Sequence, residues 1–292
     1  MNVLSLFDGM SCGQIALDQL GIKVNNYFAA EIDKYAIKVA QHNFPGIIHL
    51  GDVKQIQTSG THLMDGCDCG HKIDLLIGGS PCQGFSFAGK NLNFDDPRSK
   101  LFFEYVRLLK QLKPKYFLLE NVRMKKESMD VISEYLGVEP IAINSNLVSA
   151  QNRPRLYWTN IPFDVPTEDK GIVLKDILEP EVDKKYYAGK KLRENYMGGN
   201  QLNPKYKSQC NTIYPDDGKF ATLCAGTHGY SFGYVPSTST YRKLTPTECE
   251  RLQTVPEGYT DKGISDTQRY KMLGNGWTVD VIKHIFNGLK TI

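Results

Sequence analysis

Cys82 lies in a loop of unusual composition, with the sequence GGSPCQGFS over residues 78–86. The apolar run 73–77 before it predicts a buried strand, so the cysteine should follow a strand end. Pro81 fixes one backbone dihedral, and the glycines allow a ligand to approach the backbone, which suits a positioned nucleophile. Only a few per cent of a free thiol is thiolate at neutral pH, so Cys82 would need a cationic neighbour, a base or an activated substrate. A lone cysteine is also commonly a small buried hydrophobe, and on this stretch alone both roles stay open.

Other chemistry-bearing residues also follow predicted strands. Residues 1–160 alternate short apolar runs with helical patterns, which predicts a doubly wound, mostly parallel α/β sheet. The predicted strands are 2–7, 27–30, 47–50, 73–77, 116–119, 140–143 and 156–159, and the predicted helices end near 20 and 42 or span 98–112, 125–136, 247–252 and 278–289. Polar or reactive groups follow the first five strands, at Gly9 to Gly13, Glu31, Asp52, Cys82 and Glu120. Because the carboxyl ends of parallel strands share one edge, where ligands bind, we expect a single site there.

The turn after the first strand, together with two acidic residues, predicts a nucleoside-binding site. Gly9 and Gly13 indicate a backbone turn close to a ligand, but their spacing fits neither the dinucleotide pattern nor a phosphate loop. Glu31, about 20 positions further on, suits the two hydroxyls of a ribose. Asp52, one strand later, could meet an adenine amino group. An ordinary tight turn beside surface acids is the alternative on these residues alone.

Length and composition set the broad class of the protein. The chain has 292 residues, 41% of them apolar, a net charge of +3 and seven cysteines. One large domain, or one large and one small, is expected at this length. An odd number of cysteines without a secretion-like segment favours reduced thiols in the cytoplasm or the nucleus, and no apolar run approaches the ~20 residues of a membrane span. We expect domains at 1–160, at a loop-rich 161–241, and at 242–292, where C-terminal helices return to the first domain.

Taken together, the motifs resemble the DNA (cytosine-5-)-methyltransferase family nearly end to end. The matching positions, in chain order, are Phe7-Asp8-Gly9 with Gly13; Glu31; Asp52; Gly79-Ser80-Pro81-Cys82-Gln83; Glu120-Asn121-Val122; Gln151, Arg153 and Arg155; Arg242-x-Leu244-Thr245-Pro246 with Glu248, Arg251 and Gln253; and Gly274-Asn275-Gly276-Trp277. Each motif alone is weak, whereas Pro-Cys-Gln, Glu-Asn-Val and Q-x-R-x-R at these spacings are very specific.

The resemblance implies methyl transfer from S-adenosyl-L-methionine to carbon 5 of a flipped cytosine through a covalent cysteine adduct. The implied catalytic residues are Cys82, Glu120, Arg153 and Arg155. The implied cofactor residues are Phe7, Asp8, Gly9, Ser11, Cys12, Gly13, Glu31, Ile32, Asp52, Val53, Pro81, Leu101, Asn275, Gly276 and Trp277. The implied DNA-binding residues are Gln83, Ser86, Gln151, Thr222, Leu223 and Arg242. Residues 1–160 would then be the catalytic domain and 161–241 the target-recognition domain.

The implied partner is double-stranded DNA, bound by a cytoplasmic monomer without a membrane, with a cognate restriction endonuclease as a possible second partner. Basic residues in the first half of the small domain suit phosphates; they are Lys184, Lys185, Lys190, Lys191, Arg193, Lys205 and Lys207. Three alternatives stay open: a transfer RNA substrate, a non-catalytic regulatory relative and a thiol hydrolase. Cys67, Cys69 and His71 are three potential zinc ligands without a fourth at standard spacing, so we expect a surface loop and no metal.

Overall fold

The computed structural model describes residues 1–66, 70–80, 99–187, 208–226, 230–237 and 240–290. The chain divides into two compact units. The first comprises Met1–Ile143, Pro154–Pro166 and Ile282–Ile292, and the second comprises Asn144–Arg153 and Thr167–Val281. Residues 144–153 and 242–281 therefore group with the loop-rich part of the chain, whereas the expected boundaries lay at 160 and 241. The functional division into domains stays a prediction.

A seven-stranded sheet forms the centre of the first unit. Its strands are β1 (Asn2–Leu6), β2 (Asn26–Ala30), β3 (Ile47–His49), β7 (Leu75–Gly79), β8 (Tyr116–Val122), β9 (Ile141–Asn144) and β10 (Pro154–Thr159). The strands β4 (Gln57–Ser59), β5 (His62–Met64) and β6 (His71–Lys72) lie between β3 and β7 in the sequence and form a small separate sheet. The spatial order is β3-β2-β1-β7-β8-β10-β9. The first five of these run parallel, and β10 runs antiparallel to β8. The predicted doubly wound, mostly parallel fold is confirmed.

Four helices connect the strands of the first unit: α1 (Cys12–Gln19), α2 (Lys34–Asn43), α3 (Ser99–Leu112) and α4 (Lys126–Leu136). Local sequence sets several of their ends. Asp33 caps α2 by accepting from the backbone N–H of Tyr35 at 2.9 Å, as expected for an N-cap carboxylate. Gly137 ends α4 with a φ of 71°, a left-handed conformation that glycine adopts without a Cβ penalty.

One core cluster of the first unit packs between the helices α3 and α4 and one face of the sheet. Trp158, Tyr105 and Phe102 are fully buried there. The Trp158 indole N–H donates to the Ser133 hydroxyl at 3.0 Å, so its one polar atom is satisfied. Within the described part of the chain, no helix is long and apolar enough to cross a membrane.

The second unit has little regular structure in its described residues. It contains the hairpin β11 (Val235–Ser237) and β12 (Thr240–Arg242), several 3-10 turns, α5 (Pro246–Leu252) and α6 (Asp266–Asn275), and the chain then enters α7 (Val279–Phe286). Thr245 and Glu248 form a capping box at the start of α5, with Pro246 in its first turn. The loop-rich character expected here is found. α6 was not predicted, because its polar sequence DTQRYKMLGN shows no clear apolar face.

Candidate active site

The carboxyl ends of the parallel strands bring the polar residues of the first unit to one edge of the sheet. The segment Phe7–Ser11 follows β1, Glu31 follows β2, and Asp52 comes soon after β3. Ser80 follows β7, and the register of β7 and β8 places Glu120 beside Gly79. The sequence therefore predicted this edge correctly for the described residues. Pro81, Cys82, Gln83 and Ser86 lie outside the described residues.

The turn after β1 has an unusual backbone. Phe7, Gly9 and Ser11 have φ angles of 56°, 58° and 62°, in the left-handed region. Glycine adopts this region freely, whereas a bulky residue such as phenylalanine is destabilised by about 1–3 kcal/mol there. Such strain persists only where the surroundings enforce it, and it concentrates at ligand-binding sites.

Asp8 is the centre of a polar cluster under this turn. Its carboxylate accepts hydrogen bonds from the Ser11 hydroxyl and, at 2.8 Å, from the Tyr27 hydroxyl. Burial raises the pKa of the Asp8 carboxyl to about 6, although the residue keeps some contact with solvent, and the hydroxyls of Ser11, Ser5 and Tyr27 lower it in part. Burial also raises the pKa of Tyr27 well above its usual value, so this phenol stays a donor. These hydrogen bonds stabilise the conformation of the turn.

Glu31 ties the turn to the end of β2. One carboxylate oxygen accepts from the backbone N–H groups of Ile32 at 2.7 Å and Asp33 at 2.8 Å, and the other accepts from Gly9 at 2.8 Å. A carboxylate offers about four acceptor positions, so one remains for a ligand hydroxyl. The side chain of Ile32 is 76% exposed, which is unusual for a large aliphatic residue beside a buried strand. An acceptor beside an apolar face fits a nucleoside.

His49 adds a polar group that sequence reasoning missed. It ends β3, and both of its ring nitrogens are shielded from solvent and have no hydrogen-bond partner among the residues that the structure describes. Burial lowers the pKa of His49, and nearby Glu31 raises it in part. Buried polar atoms normally have partners. An unpartnered imidazole at this edge is a second feature that fits a bound polar ligand.

The remaining predicted cofactor residues of the first unit have mainly structural contacts. The Asp52 carboxylate caps a short 3-10 turn by accepting from the Lys54 N–H at 3.0 Å. Val53 is buried in the core, Leu101 packs against it, and Cys12 is buried in α1. A Cβ on Gly13 would lie 2.3 Å from the Ile77 Cδ1 atom, so glycine lets α1 approach the sheet.

Glu120 and Arg155 form an ion pair at the end of β8. The Arg155 Nε atom lies 2.9 Å from a Glu120 carboxylate oxygen, and the two side chains are only 11–12% exposed. In addition, the Asn121 side-chain amide donates to the Ser80 hydroxyl at 3.2 Å and to the Ser80 carbonyl at 3.3 Å. Ser80 begins the segment that carries Cys82. The structure thus brings two predicted catalytic residues together beside the strand that leads to the third.

Arg153 lies in the second unit and has different contacts. It is 3% exposed, and its guanidinium donates to the carbonyls of Leu223 at 2.8 Å, Gly276 at 2.9 Å and Gly274 at 3.0 Å. Arg153 and Arg155, only two positions apart, therefore point to separate surroundings. The geometry gives Arg155 the contact with Glu120 and gives Arg153 a framework contact, and the predicted catalytic role of Arg153 stays a prediction.

The described residues that were predicted to bind DNA form hydrogen bonds or ion pairs with other residues of the second unit. Leu223 is 1% exposed, and its N–H donates to the fully buried Gln151 side chain at 2.8 Å. The Arg242 guanidinium binds both carboxylate oxygens of Glu248, at 2.6 and 2.8 Å. Thr222 donates its hydroxyl to the Asn152 carbonyl at 2.8 Å. Contact of these residues with DNA stays a prediction.

Comparisons with known proteins identify the family of this chain. The family described as C-5 cytosine-specific DNA methylase matches residues 1–291. The chain belongs to this family. The methylase is 33% identical to Type II methyltransferase M1.ScrFI of Lactococcus lactis subsp. cremoris, over 97% of this chain and 76% of that protein. It is 27% identical to orphan methyltransferase M.SPRI of Bacillus phage SPR, over 99% and 97% of the two chains.

The solved structures support the fold of this methylase. The Entamoeba histolytica methyltransferase EhMeth has a TM-score of 0.76 at 18% identity, with 99% of this chain and 98% of that chain covered. The predictions of the family and of the enzyme class, a DNA (cytosine-5-)-methyltransferase, are confirmed by the family match. Enzymes of this family generally use S-adenosyl-L-methionine.

His71, one of the three potential zinc ligands, is paired with an acidic side chain in this methylase. His71 lies 3.0 Å from the Asp65 carboxylate, and Cys67 and Cys69 fall outside the described residues. Among the residues that the structure describes, no group of three His, Cys, Asp or Glu side chains could hold a metal ion.

Proposed function

We propose that this chain methylates carbon 5 of cytosine in double-stranded DNA by way of a temporary bond between Cys82 and carbon 6 of a flipped base. The observation that carries the proposal is the buried Glu120–Arg155 pair beside β7, the strand that leads into Cys82. A buried carboxylate next to a guanidinium can hold a polar heterocycle in one orientation.

Each residue of the pair has a distinct task in this proposal. Glu120 holds the ring nitrogen and exocyclic amine of cytosine and favours protonation of the ring, which makes carbon 6 more electrophilic. Arg155 orients Glu120 and meets the ring carbonyl, and its charge helps to lower the pKa of the attacking thiol. Because Arg155 is tied to Glu120 by an ion pair at 2.9 Å, both groups are positioned before the base arrives.

Cys82 divides one difficult reaction into easier ones. Its thiolate adds to carbon 6, and the electron pair of the 5,6 double bond makes carbon 5 nucleophilic. S-adenosyl-L-methionine, when bound, supplies an electrophilic methyl group for carbon 5. Loss of the carbon 5 proton to water then restores the double bond and expels the thiolate. Extrusion of the base from the duplex costs a few kcal/mol.

The edge formed by β1, β2 and β3 is the proposed donor site. Glu31 has one free acceptor position for a ribose hydroxyl, Ile32 offers an exposed apolar face, and His49 has unpartnered nitrogens. The strained turn from Phe7 to Ser11 encloses the methionine part. Asn275, Gly276 and Trp277 are proposed as further donor-binding residues.

The recognition of DNA is proposed to lie in residues 161–241. Of the basic residues there, Lys185 is paired with Asp266 at 2.8 Å, whereas Lys184 is exposed and suits a phosphate. We also propose a cytoplasmic monomer. A cognate restriction endonuclease is proposed as a partner, because the relative M1.ScrFI is named a Type II methyltransferase.

The test measures transfer and covalent capture together. Labelled S-adenosyl-L-methionine is incubated with mixed-sequence duplex DNA or with transfer RNA, and a second duplex carries 5-fluorocytosine. We expect label on DNA and a denaturation-resistant adduct with the fluorinated duplex, and both should be lost in Cys82→Ser. Cys210→Ser is the matched control, since Cys210 is an exposed thiol elsewhere. Label on RNA alone would refute the DNA substrate, and an adduct in Cys82→Ser would refute the nucleophile.

A further inference from the structure

A buried hydrogen-bond network joins three distant stretches of the second unit, with Gln253 at its centre. This side chain is fully buried, and its amide N–H groups donate to the carbonyls of Leu273 at 2.6 Å and Gly276 at 3.0 Å. Its carbonyl oxygen accepts from the Gln151 amide at 3.1 Å and from the Thr278 hydroxyl at 2.8 Å. These four bonds use both N–H donors and both acceptor positions of the glutamine amide. The side chain can therefore satisfy all of its hydrogen bonds in one orientation only.

Arg153 connects the same turn to the Thr222-Leu223 pair. Its guanidinium donates to the carbonyl of Leu223 on one side and to the carbonyls of Gly274 and Gly276 on the other. The Gly276 carbonyl therefore receives hydrogen bonds from both Arg153 and Gln253. Since a carbonyl has two lone pairs, its orientation is fixed by these donors. We call Gln151, Arg153, Gln253 and Thr278 the clasp.

Direct backbone contact reinforces the clasp. A Cβ atom on Gly274 would lie 2.4 Å from the carbonyl carbon and oxygen of Cys224, the residue after Leu223. Backbone atoms cannot move aside as the end of a flexible side chain can. The segment 274–277 and the segment 222–224 therefore touch without an intervening side chain.

We propose that the clasp makes these two segments a single mechanical element, so that binding of the methyl donor at Gly276 and Trp277 stabilises the Thr222-Leu223 pair. Gln253 and Arg153 are then positioning residues that couple donor binding to DNA reading. The inference rests on the proposed function, which assigns the turn to the donor and the pair to DNA. The coupling is carried by buried polar groups, for which a lost partner is costly. By linkage, DNA bound at the pair would strengthen donor binding by the same factor.

The test follows the amide of Leu223 by hydrogen exchange, with S-adenosylhomocysteine as the probe and no DNA. In the wild-type chain, saturating probe should slow exchange of residues 222–224 by about fivefold or more, the lower end of usual coupling factors. Gln253→Leu removes all the bonds of the amide and should abolish this response while calorimetry still detects probe binding. Thr278→Val removes one bond to Gln253 and should reduce the response.

Thr260→Val is the matched control for lost buried hydrogen bonds. The Thr260 hydroxyl donates to Glu250 at 2.5 Å and accepts from Arg269 at 2.9 Å, outside the clasp. This variant should lose stability and keep the exchange response. A wild-type chain that binds the probe with less than a twofold change at 222–224 would overturn the coupling, as would a full response in Gln253→Leu. If Gln253→Leu does not fold, an undiminished response in Thr278→Val overturns it instead. If the wild-type chain does not bind the probe in calorimetry, both the proposed function and the coupling are refuted.

Discussion

Replacement of Asp8 by asparagine tests whether burial governs the cluster below the β1 turn. The pKa of the Asp8 carboxyl is raised from 3.8 to about 6, chiefly by burial. The folded protein therefore holds this proton to a higher pH than the unfolded chain does. Stability contributed by the group must fall as the pH rises from about 4 to about 6, and it stays low above that range.

The magnitude follows from the two pKa values. At 1.36 kcal/mol per pH unit, the ionised carboxylate costs the folded state about 3 kcal/mol at pH 7.5 and about 1 kcal/mol at pH 4.5. The asparagine side chain of the variant is neutral throughout and can still bond the hydroxyls of Ser11 and Tyr27. The stability of Asp8→Asn relative to wild type should therefore rise by about 2 kcal/mol between these pH values.

Urea unfolding of both proteins at several pH values measures this difference, because the titration of all other groups cancels. Asp18→Asn, which removes an exposed carboxylate from α1, is the control. A flat difference for Asp8→Asn would show that burial does not dominate. A difference that falls with pH would show that the hydroxyl donors stabilise the ionised form.

Three further predictions concern the first unit. Gly13→Ala places a Cβ atom 2.3 Å from the Ile77 Cδ1 atom and should lower the free energy of unfolding by about 1–3 kcal/mol in urea titrations; an unchanged midpoint would show that Ile77 moves aside freely. Glu31→Gln keeps one acceptor oxygen of the two, so it cannot accept from three backbone N–H groups and a ligand hydroxyl together, and calorimetry should show S-adenosylhomocysteine binding weakened at least about tenfold; equal affinity would place the donor elsewhere. Arg155→Met removes the guanidinium that is paired with the buried Glu120 carboxylate and should cost about 3–5 kcal/mol of stability, whereas Lys126→Ala at an exposed pair should cost much less; similar losses would contradict burial as the cause.

Features that depend on neighbours in the sequence were predicted well. The strands of the sheet and the cap of α2 at Asp33 follow from apolar runs and an N-cap residue, and both appear within a few residues of the expected bounds. The meeting of Glu31 and the β1 turn could also be predicted, because parallel strands deliver their carboxyl ends to one edge.

Features that depend on distant partners could not be predicted. Arg153 and Arg155 look equivalent in the sequence, yet one binds carbonyls more than 100 positions away and the other binds Glu120. The residues around Leu223 show no apolar periodicity, so its burial could not be predicted from the sequence. The environment of His49 also depends on tertiary packing, and no local sequence pattern predicts that a side chain will lack a hydrogen-bond partner.

The left-handed residues of the β1 turn have a consequence for the thermodynamics of ligand capture. A loop that must be ordered when its ligand arrives pays about 1–2 kcal/mol of backbone entropy per residue at that moment. Phe7, Gly9 and Ser11 lie in a turn that is held by hydrogen bonds within the chain, which the side chains of Asp8 and Glu31 accept. Because contacts of the chain itself order this turn, little of the contact energy with a ligand is needed to order it, and most remains for affinity.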